Sequence, residues 1–433
     1  MLRFAFSPTK DMSVADLRVA LFNHILSKQL NEELIIRIDD TNKEQNIQAK
    51  DKEILEILNL FSIDYSRVVL QSENIKYHVN IGMKLLLDKK AFNCFCSNEA
   101  LEQDKQKAKQ ENKPYGYSGF CESISDETKF NCNAPFVVRS KKPTHNINFS
   151  DLFKGDLDYE PFDVDSFVIL KQDKTPTYNF ASAIDDMLYN ISTVIRDEKY
   201  LLDTPKQIHI RQSLGYDKEL KYIHIPTICE IEQNKQVLKR DNPLSVKWLI
   251  DEGYLPIAIA NYLILLGYET PKEIFTIEEA INWFDISKLD TNFLTFDIDK
   301  LNSINKEHIK NMQELRLSKI LGYADEDIGK LAKVYLQECD TIKQIKSKID
   351  AIFAKKELLD DFKEESKILK ECLSNAPFIN DLEALKKYIT QNSSLKQQEI
   401  LIPLQYTLTG AKSGPDLDRI YPLIKNYLGE IIC

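Results

Sequence analysis

Strand-like and helix-like segments alternate over the first 96 residues, and this alternation restricts the fold more than any other feature of the sequence. Residues 34–38 and 68–70 are short, largely apolar runs of the kind found in strands. Residues 51–61 and 77–87 instead have apolar side chains at helical spacing. Such alternation predicts a mostly parallel sheet with helices on its faces.

The alternation is interrupted once and then resumes. A polar segment rich in Lys, Gln and Glu occupies residues 99–161, after which strand-like runs return at residues 167–170 and 191–195. From residue 242 onward the pattern is almost entirely helical, and beyond residue 301 it is charged and amphipathic to the end. We therefore predict an α/β doubly wound, Rossmann-like domain that carries an insertion and is followed by all-α C-terminal modules.

Composition bears on location and on the kind of partner. The 433 residues are 43% apolar and 29% charged, which is enough for two or three domains with ordinary cores. No apolar run is long enough to span a bilayer, and the first four residues begin like a strand rather than a signal peptide.

Eight cysteines without a secretory signal favour a reduced, cytoplasmic setting. The net charge of -10 argues against a general nucleic-acid binder, although one basic face is enough for a large partner such as tRNA.

Residues 4–23, FAFSPTKDMSVADLRVALFN, have the order of a nucleotide-site entry: a short strand, a Ser-Pro-Thr turn and a helix that begins near Ser13. The first N–H groups of such a helix are a common place for phosphate to bind. This segment contains neither glycine nor histidine. Ser13 and Asp16 instead have the spacing of a capping box, in which both side chains satisfy the helix's own N–H groups. The sequence predicts a helix that caps itself where a phosphate would otherwise bind.

Ordered motifs continue along most of the chain. Residues 3–9 read RFAFSPT and residues 37–41 read RIDDT, close to R-F-A-P-S-P-T-G and R-I-E-D-T. Together they resemble the pattern of bacterial glutamyl-tRNA synthetases, which are class I aminoacyl-tRNA synthetases. The resemblance is strongest to the shorter second synthetase of some bacteria, which glutamylates glutamine tRNA. Further matches occur in chain order at residues 173–180, 185–186, 195–196, 204–207, 245–249, 258–263, 403–404 and 408–410.

The resemblance implies a reaction in two steps. The carboxylate of L-glutamate would attack the α-phosphate of ATP, with Mg²⁺ assisting, and the glutamyl group would then pass to the 3′ end of tRNA. The expected protein is a cytoplasmic monomer. The resemblance also implies four regions: a Rossmann-like catalytic domain at 1–98 and 162–235, an inserted acceptor-binding subdomain at 99–161, a helical stem-contact region with a KMSKR-like loop at 236–300, and a helical anticodon-binding domain at 301–433.

The same resemblance implies a glutamate pocket. Arg3 and Arg196 would contact the carboxylates of the substrate, for which the bidentate geometry of guanidinium is suited. Asp39 would meet the ammonium, although it is one methylene shorter than the Glu of the family. The competing interpretation is that Arg37 and Arg196 form surface ion pairs and that Tyr178 packs in a core. The full implied set is Arg3, Ala5, Ser7, Asp39, Tyr178, Ser182 and Arg196.

The residues implied for ATP depart from the family. Residues 13–16 read SVAD where the family has H-I-G-[HN], residues 196–200 read RDEKY for R-G-E-D-H, and residues 236–240 read QVLKR for K-M-S-K-R. The implied ATP-binding and catalytic residues are therefore Ser13, Asp16 and Lys239, of which Lys239 alone keeps the family's residue type. The lost donors predict slow adenylation, unless the lysines near these segments compensate. Those lysines are Lys10, Lys199 and Lys235.

Four cysteines fall between residues 94 and 132. In the family this region touches the acceptor end of tRNA, and some members hold zinc through C-x-C and a later cysteine. Cys94, Cys96 and Cys121 would form a tetrahedral Zn²⁺ site, completed either by Tyr117 or by Cys132. The alternative is that these cysteines are ordinary buried residues.

Three functions are compatible with the sequence. We predict a glutamate–tRNA ligase that charges a Glu or Gln isoacceptor and has a diverged ATP site. The alternative is a catalytically impaired paralogue that binds tRNA or glutamate in a regulatory role. A third function is that of an adenylating ligase of the same superfamily with another acceptor. Glutamate-dependent ATP–pyrophosphate exchange discriminates between them.

Overall fold

The computed structural model describes residues 1–112, 114–230, 244–292, 294–357 and 360–432. Strands lie mainly in the first half of the chain, and helices dominate the second. The strands are β1 (Leu2–Phe6), β2 (Leu34–Ile38), β3 (Arg67–Leu70), β4 (Ala91–Cys94), β5 (Val137–Ser140), β6 (Ile147–Asp151), β7 (Gly155–Tyr159), β8 (Val168–Leu170), β9 (Thr193–Asp197), β10 (Lys221–Ile225), β11 (Ile228–Glu230) and β12 (Leu294–Phe296).

The helices pack around the strands in the first half and against one another in the second. In chain order they are α1 (Val14–Leu30), α2 (Lys50–Leu60), α3 (Ile75–Leu87), α4 (Asn98–Gln110), α5 (Phe120–Ser123), α6 (Asp126–Asn131), α7 (Pro161–Val164), α8 (Tyr178–Leu188), α9 (Thr204–Ser213), α10 (Val246–Asp251), α11 (Pro256–Leu265), α12 (Ile277–Trp283), α13 (Ile298–Asn311), α14 (Glu314–Leu321), α15 (Glu326–Val334), α16 (Ile342–Phe353), α17 (Lys363–Ser374), α18 (Leu382–Asn392), α19 (Gln397–Thr409), α20 (Leu417–Ile424) and α21 (Leu428–Ile432).

Seven strands form the main sheet, in the order β3-β2-β1-β9-β10-β6-β7. Every neighbouring pair is parallel except the β6–β7 hairpin. Strands β1 and β2 pair along their full length, from Leu2 with Leu34 to Phe6 with Ile38. The carboxyl ends of β2, β1, β9 and β10 therefore meet at one edge, where such sheets bind ligands. This confirms the predicted α/β doubly wound organisation.

Both faces of the main sheet are buried. Ile35 and Ile36 are adjacent in β2, and their side chains point to opposite faces because successive residues of a strand do so. Ile36 belongs to the apolar cluster that includes residues of α1, whereas Ile35 packs in a second cluster with Val194 and Ile208. Burial on both faces explains why the strand reads as a continuous apolar run interrupted only by Arg37.

The insertion contributes to two sheets. Strands β4, β5 and β8 form a separate antiparallel sheet of three strands, so the run at 167–170 does not return to the main sheet as its pattern indicated. The hairpin β6–β7 lies within the predicted insertion, 99–161, yet it extends the main sheet through a parallel pairing of Tyr222 with Asp151. In both cases the sheet that a strand joins depends on a partner strand that is distant in the sequence. Local periodicity does not identify that partner. The four region boundaries remain a prediction.

From α13 onward the described chain is helical, as the sequence predicts. Its buried side chains belong to the same apolar cluster as α1 and β1. One close approach requires glycine, because a Cβ at Gly329 in α15 would lie 1.9 Å from the carbonyl oxygen of Glu314 in α14. No helix within the described ranges is both long enough and apolar enough to cross a membrane.

Candidate active site

A cleft of about 370 Å³ opens at the carboxyl ends of β1, β2 and β9. Most of the residues predicted for glutamate lie in its walls: Arg3, Ala5, Ser7, Asp39, Tyr178 and Arg196.

Ser182 lies behind the wall of the cleft. It is one turn into α8 and 1% exposed, and its hydroxyl accepts a hydrogen bond from Arg37 Nη2 at 3.1 Å. The competing interpretation of these residues is wrong. Arg37 and Arg196 are 2% and 6% exposed, so they are not surface pairs, and Tyr178 is 41% exposed, so it is not in a core.

Arg3, Arg37, Asp39 and Asp186 form one buried ion network in and below the cleft. Their side chains are 1–9% exposed. Arg3 Nε and Arg37 Nη1 both donate to Asp186 Oδ1, at 3.1 and 3.0 Å. The other edge of Arg37 is bidentate to Asp39, with Nε at 2.6 Å from Oδ1 and Nη2 at 3.2 Å from Oδ2. Two guanidinium groups thus share two carboxylates.

The two acids of this network differ in protonation behaviour. Burial works to raise the pKa of Asp186, but Arg3 and Arg37 together outweigh it and hold that pKa below its usual value. At Asp39 burial prevails over the ion pair with Arg37, and the nearby charge of Asp185 adds to it, so the pKa of Asp39 is raised. Asp186 is thus held in its ionised form by the two arginines, whereas burial disfavours the charged form of Asp39. A cation that entered the cleft beside Asp39 would therefore be favoured.

Arg196 has partners of another kind. Its Nε donates to His224 Nε2 at 3.0 Å, its Nη1 to Gln207 Oε1 at 3.3 Å, and its Nη2 to the hydroxyl of Thr204. These three partners are neutral. Burial, reinforced by the charge of Arg3, lowers the pKa of Arg196. Arg196 therefore presents a buried positive charge to the cleft that its hydrogen-bond partners do not balance.

The N-terminus of α1 has the capping box that the sequence predicts. Asp16 N donates to Ser13 Oγ at 3.2 Å, and Ser13 N donates to Asp16 Oδ2 at 3.0 Å. Ser13 Oγ and Lys10 Nζ also donate to that same oxygen, at 2.6 and 3.0 Å. One carboxylate oxygen thus receives three donors from the turn and cap at the start of α1.

The structure describes only some of the other residues predicted for ATP. Asp16 and Lys10 line the cleft, whereas Lys239 and Lys235 lie outside the described residues. Lys199 directs its ammonium over the ring of Tyr200, 5.2 Å from the ring centroid. Among the described lysines expected to compensate, Lys10 thus reaches the cleft, although it is already paired with Asp16.

The predicted site omitted Arg37 and Tyr200, which both line the cleft. Arg37 was not among the predicted site residues, although its spacing of two from Asp39 places both on one face of β2 and its extension, a signal that was available. Tyr200 lines the cleft opposite Tyr178, with the ring centroids 6.1 Å apart. Its role had no sequence signal, because Tyr200 replaces a residue of different chemistry in the resembling motif.

The predicted metal ligands come together outside the cleft. The sulfur atoms of Cys94, Cys96 and Cys121 all lie within 4.8 Å of one another. The hydroxyl of Tyr117 is 3.4 Å from the Cys94 sulfur and 3.6 Å from that of Cys96. Cys132 is exposed and does not join this group. The donor set, three thiols and a phenol, suits a soft tetrahedral ion such as Zn²⁺.

Comparison with known proteins agrees with this geometry. A family model described as tRNA synthetases class I (E and Q), catalytic domain, matches residues 1–303. The chain is 50% identical over 432 residues to glutamate–tRNA ligase 2 of Sulfurimonas denitrificans, covering 100% of both proteins. It is 49% identical over 431 residues to glutamate–tRNA ligase 1 of Campylobacter jejuni, covering 100% of this chain and 99% of that protein.

A solved structure has the same fold. It is that of a glutamate tRNA ligase from Elizabethkingia meningosepticum in complex with its amino acid, with a TM-score of 0.80, 22% identity, and coverage of 100% of this chain and 98% of that one. The motifs, the cleft at the carboxyl edge of the sheet and the match over residues 1–303 all point to one family. The chain belongs to the class I tRNA synthetases of the glutamate and glutamine (E and Q) type.

Proposed function

We propose that this protein is a glutamate–tRNA ligase, which activates glutamate with ATP and transfers it to tRNA. The observation that carries the proposal is the buried guanidinium of Arg196 at the cleft, bonded to three neutral side chains. Burying a cation without a balancing anion is costly, so such a group is favourable only when an anionic ligand arrives. The relatives named glutamate–tRNA ligase, about half identical over the whole chain, support the same activity.

The charges of the cleft match those of glutamate. Arg196 binds one carboxylate, and Arg3 is placed to contact the other while it remains tied to Asp186. Asp39 receives the ammonium, because burial disfavours its negative charge despite the ion pair with Arg37 and a second cation offsets that cost. Ser7 stabilises the same wall, since its hydroxyl donates to the backbone carbonyl of Asp39 at 3.1 Å. A small dicarboxylic amino acid thus satisfies both signs of charge in this cleft.

Adenylation on this plan needs no protein nucleophile. An oxygen of the glutamate carboxylate forms a bond to the α-phosphorus of ATP, and the bond from that phosphorus to the pyrophosphate oxygen breaks. The protein contributes by holding the two reactants in line and by stabilising charge on the phosphates. In the second step a terminal ribose hydroxyl of tRNA attacks the glutamyl carbonyl and AMP leaves. We further propose that the protein acts as a cytoplasmic monomer in protein biosynthesis, on a Glu or a Gln isoacceptor.

The end of the cleft proposed to bind ATP offers few free donors for the phosphates. Asp16 takes up Lys10 and both polar groups of Ser13, so ATP phosphates compete with this carboxylate for the same donors. The metal-ligating side chains that cluster within the described ranges are cysteines, which do not suit Mg²⁺. Mg²⁺ would therefore arrive with the nucleotide and be held largely by its phosphates.

Replacing Asp16 by asparagine is expected to lower the KM for ATP by about threefold to tenfold, the effect of roughly 1 kcal/mol of relieved repulsion. Asparagine can still accept the bond from Ser13 N, while Lys10 is released from its ion pair. The measurement is ATP–pyrophosphate exchange at saturating glutamate. Asp11→Asn is the matched control, because Asp11 precedes the same helix but pairs with Lys50. A KM for ATP that stays the same or rises in Asp16→Asn contradicts the proposed competition.

We propose that Cys94, Cys96 and Cys121 bind Zn²⁺ and that Tyr117 is the fourth ligand. In a tetrahedral site with Zn–S distances near 2.3 Å, the sulfur atoms are about 3.8 Å apart. The sulfur of Cys96 is already 3.4 Å from that of Cys121, so little movement is needed. When bound, the ion would link the end of β4 to α5 and stabilise the insertion; it has no part in the chemistry at the cleft.

The expected zinc content is about one ion per chain, and its removal by a chelator should make the segment 99–161 sensitive to proteolysis. Cys96→Ser should lose the metal, as measured by elemental analysis of the purified protein. Cys132→Ser should keep it, since Cys132 is exposed and outside the group. Equal metal content in the two variants, or none in the wild type, would rule out this ligand set.

The activity itself is tested by glutamate-dependent ATP–pyrophosphate exchange, with and without tRNA, and by charging of purified Glu and Gln isoacceptors. We expect exchange and charging of one isoacceptor. Exchange without charging would indicate an adenylating ligase with another acceptor. Absence of exchange, together with tRNA binding that weakens steeply with salt, would overturn the ligase and leave a tRNA-binding role.

A further inference from the structure

We propose that His224 and Asp151 are positioning residues that hold the guanidinium of Arg196 in the orientation in which it receives the substrate carboxylate. The proposal rests on the proposed function in one respect, that Arg196 binds a carboxylate. Neither residue lines the cleft, and both are almost fully buried, at 0% and 4% exposure. They act through a chain of hydrogen bonds that runs from the inserted hairpin to the cleft.

The chain begins at Asp151, the last residue of β6. Its Oδ1 accepts from the backbone N–H groups of Phe153 and Lys154, at 3.0 and 3.1 Å. Its Oδ2 accepts from His224 N at 3.0 Å and from His224 Nδ1 at 2.7 Å. Four N–H donors thus surround one carboxylate, and they favour its ionised form. An ionised carboxylate only accepts, so the Nδ1 of His224 must carry a proton.

The other ring nitrogen of His224 faces Arg196. Arg196 Nε lies 3.0 Å from His224 Nε2, and a guanidinium nitrogen is always a donor. The Nε2 atom must therefore be unprotonated and accept. His224 is fixed on both sides as the neutral tautomer with its proton on Nδ1, the usual result of a carboxylate partner on one ring nitrogen.

This fixed acceptor orients Arg196. Together with Gln207 and Thr204, His224 takes three N–H donors of Arg196, one each from Nε, Nη1 and Nη2. A guanidinium has five N–H donors in a rigid plane, so about two remain, both on the Nη atoms. With Nε occupied by the imidazole, these remaining donors are the ones available for a carboxylate. Without the acceptor at Nε2, the guanidinium could rotate away from this orientation.

Protonation of His224 should break the same contact. A proton on Nε2 would set two donors against each other beside a second positive charge. Burial lowers the pKa of His224, so this happens below its ordinary value near 6.5. The charged and titratable groups that face His224 from the elements packed on it are Asp151 from β6, Arg196 from β9, Arg3 from β1 and Tyr222 from β10 itself.

Four variants of the full-length protein test the proposal, with glutamate affinity measured by calorimetry so that ATP is not needed. His224→Leu removes the acceptor, and Asp151→Asn removes the negative charge that favours the proton on Nδ1. Both should weaken glutamate binding by about tenfold to a hundredfold, the usual effect of losing a residue that orients a ligand-binding group. His224→Gln offers an amide oxygen near the position of Nε2 and should bind within about threefold of wild type. The matched control is His209→Gln, a buried histidine bonded to the backbone oxygen of Lys141.

Two further measurements separate positioning from a general effect on folding. Nitrogen-15 NMR of the ligand-free wild type should show His224 as the neutral Nδ1–H tautomer, and Asp151→Asn should raise the fraction of the Nε2–H tautomer. Between pH 7 and 5 the glutamate affinity of the wild type should fall more than that of His224→Gln. Because Asp39 is the same in both proteins, the difference in pH dependence belongs to His224.

Unaltered affinity in His224→Leu, equal loss in His224→Leu and His224→Gln, or an Nε2–H tautomer in the wild type would each overturn the proposal. A different outcome would bear on the substrate alone. If the wild type has the Nδ1–H tautomer but does not bind glutamate, the proposed substrate is wrong, while the orientation of Arg196 by His224 stands.

Discussion

Arg196→Met is expected to weaken glutamate binding by about 10²- to 10³-fold, as for truncation of one partner of a buried, hydrogen-bonded charge pair. The same substitution is expected to leave the free energy of unfolding within about 1 kcal/mol of wild type, or to raise it. Loss of binding without loss of stability is unusual for so buried a residue. It follows here because the hydrogen-bond partners of Arg196 are neutral, so the unliganded protein does not recover the cost of burying the charge.

Methionine approximates the volume of the arginine stem, and the polar groups that it exposes can bond to each other, since Thr204 Oγ1 is 3.0 Å from His224 Nε2. Calorimetry gives the affinity, and urea unfolding in the absence of ligand gives the stability. Arg196→Lys should be intermediate in affinity, because lysine keeps the charge but loses the planar fork. Arg67→Met, on the exposed strand β3, serves as the control. If Arg196→Met unfolds more easily yet still binds glutamate, then Arg196 stabilises the fold and does not bind the substrate.

Asp186→Ala, unlike Arg196→Met, is expected to destabilise the protein. It should lower the free energy of unfolding by about 3–5 kcal/mol. Removal of this carboxylate leaves Arg3 without its partner and leaves Arg37 with Asp39 alone, both guanidinium groups being at most 5% exposed. Urea unfolding measures the loss, and hydrogen exchange of the β1 and β2 amides localises it. Glutamate binding should fail as well, but as a consequence of the disturbed pocket.

The effect of Asp186 should depend on pH with a defined sign. Its pKa is lower in the folded protein than in the unfolded chain, so its contribution to stability is fully present above the unfolded value, about 3.9, and is lost as pH falls through the folded value. The difference in stability between wild type and Asp186→Ala should therefore begin to shrink below about pH 4, by at most about 1.4 kcal/mol per pH unit. Asp217→Asn, an exposed acid, should differ from wild type by no more than about 0.5 kcal/mol at any pH. A difference from Asp186→Ala that is undiminished at pH 3 would show that its ionisation is not what stabilises the network.

Local pattern was sufficient for most elements of the sheet domain. The predicted strand at 34–38 is β2, and the helical spacings at 51–61 and 77–87 became α2 and α3 within two residues. The capping box at Ser13 was predictable for the same reason, because its donors and acceptors lie within three residues of one another. The convergence of Arg3, Asp39, Tyr178 and Arg196 was implied by the resemblance, and the rule that parallel strands end at one edge accounts for Asp39 and Arg196.

What could not be predicted depends on contacts between distant residues. Asp185 and Asp186 are adjacent and identical in type, yet Asp185 bonds to His78 at 2.7 Å whereas Asp186 holds the two arginines. Only the helix phase of α8 decides which carboxylate faces which group. The partners of Arg196 are likewise remote, since His224 is 28 residues away. The pairing of β6 with β10 is a further case, because it joins Asp151 to Tyr222, which lies in a distant part of the sequence.

That pairing limits how the chain could be shortened. A version of this protein from which residues 99–161 had been deleted would lose the β6–β7 hairpin and leave β10 at the margin of the sheet, with unpaired backbone groups open to intermolecular pairing. It would also lose the carboxylate of Asp151, the origin of the hydrogen bonds that end at Arg196, the proposed carboxylate-binding residue. The segment looks detachable in the sequence, but its removal would take away a residue on which the proposed glutamate pocket depends.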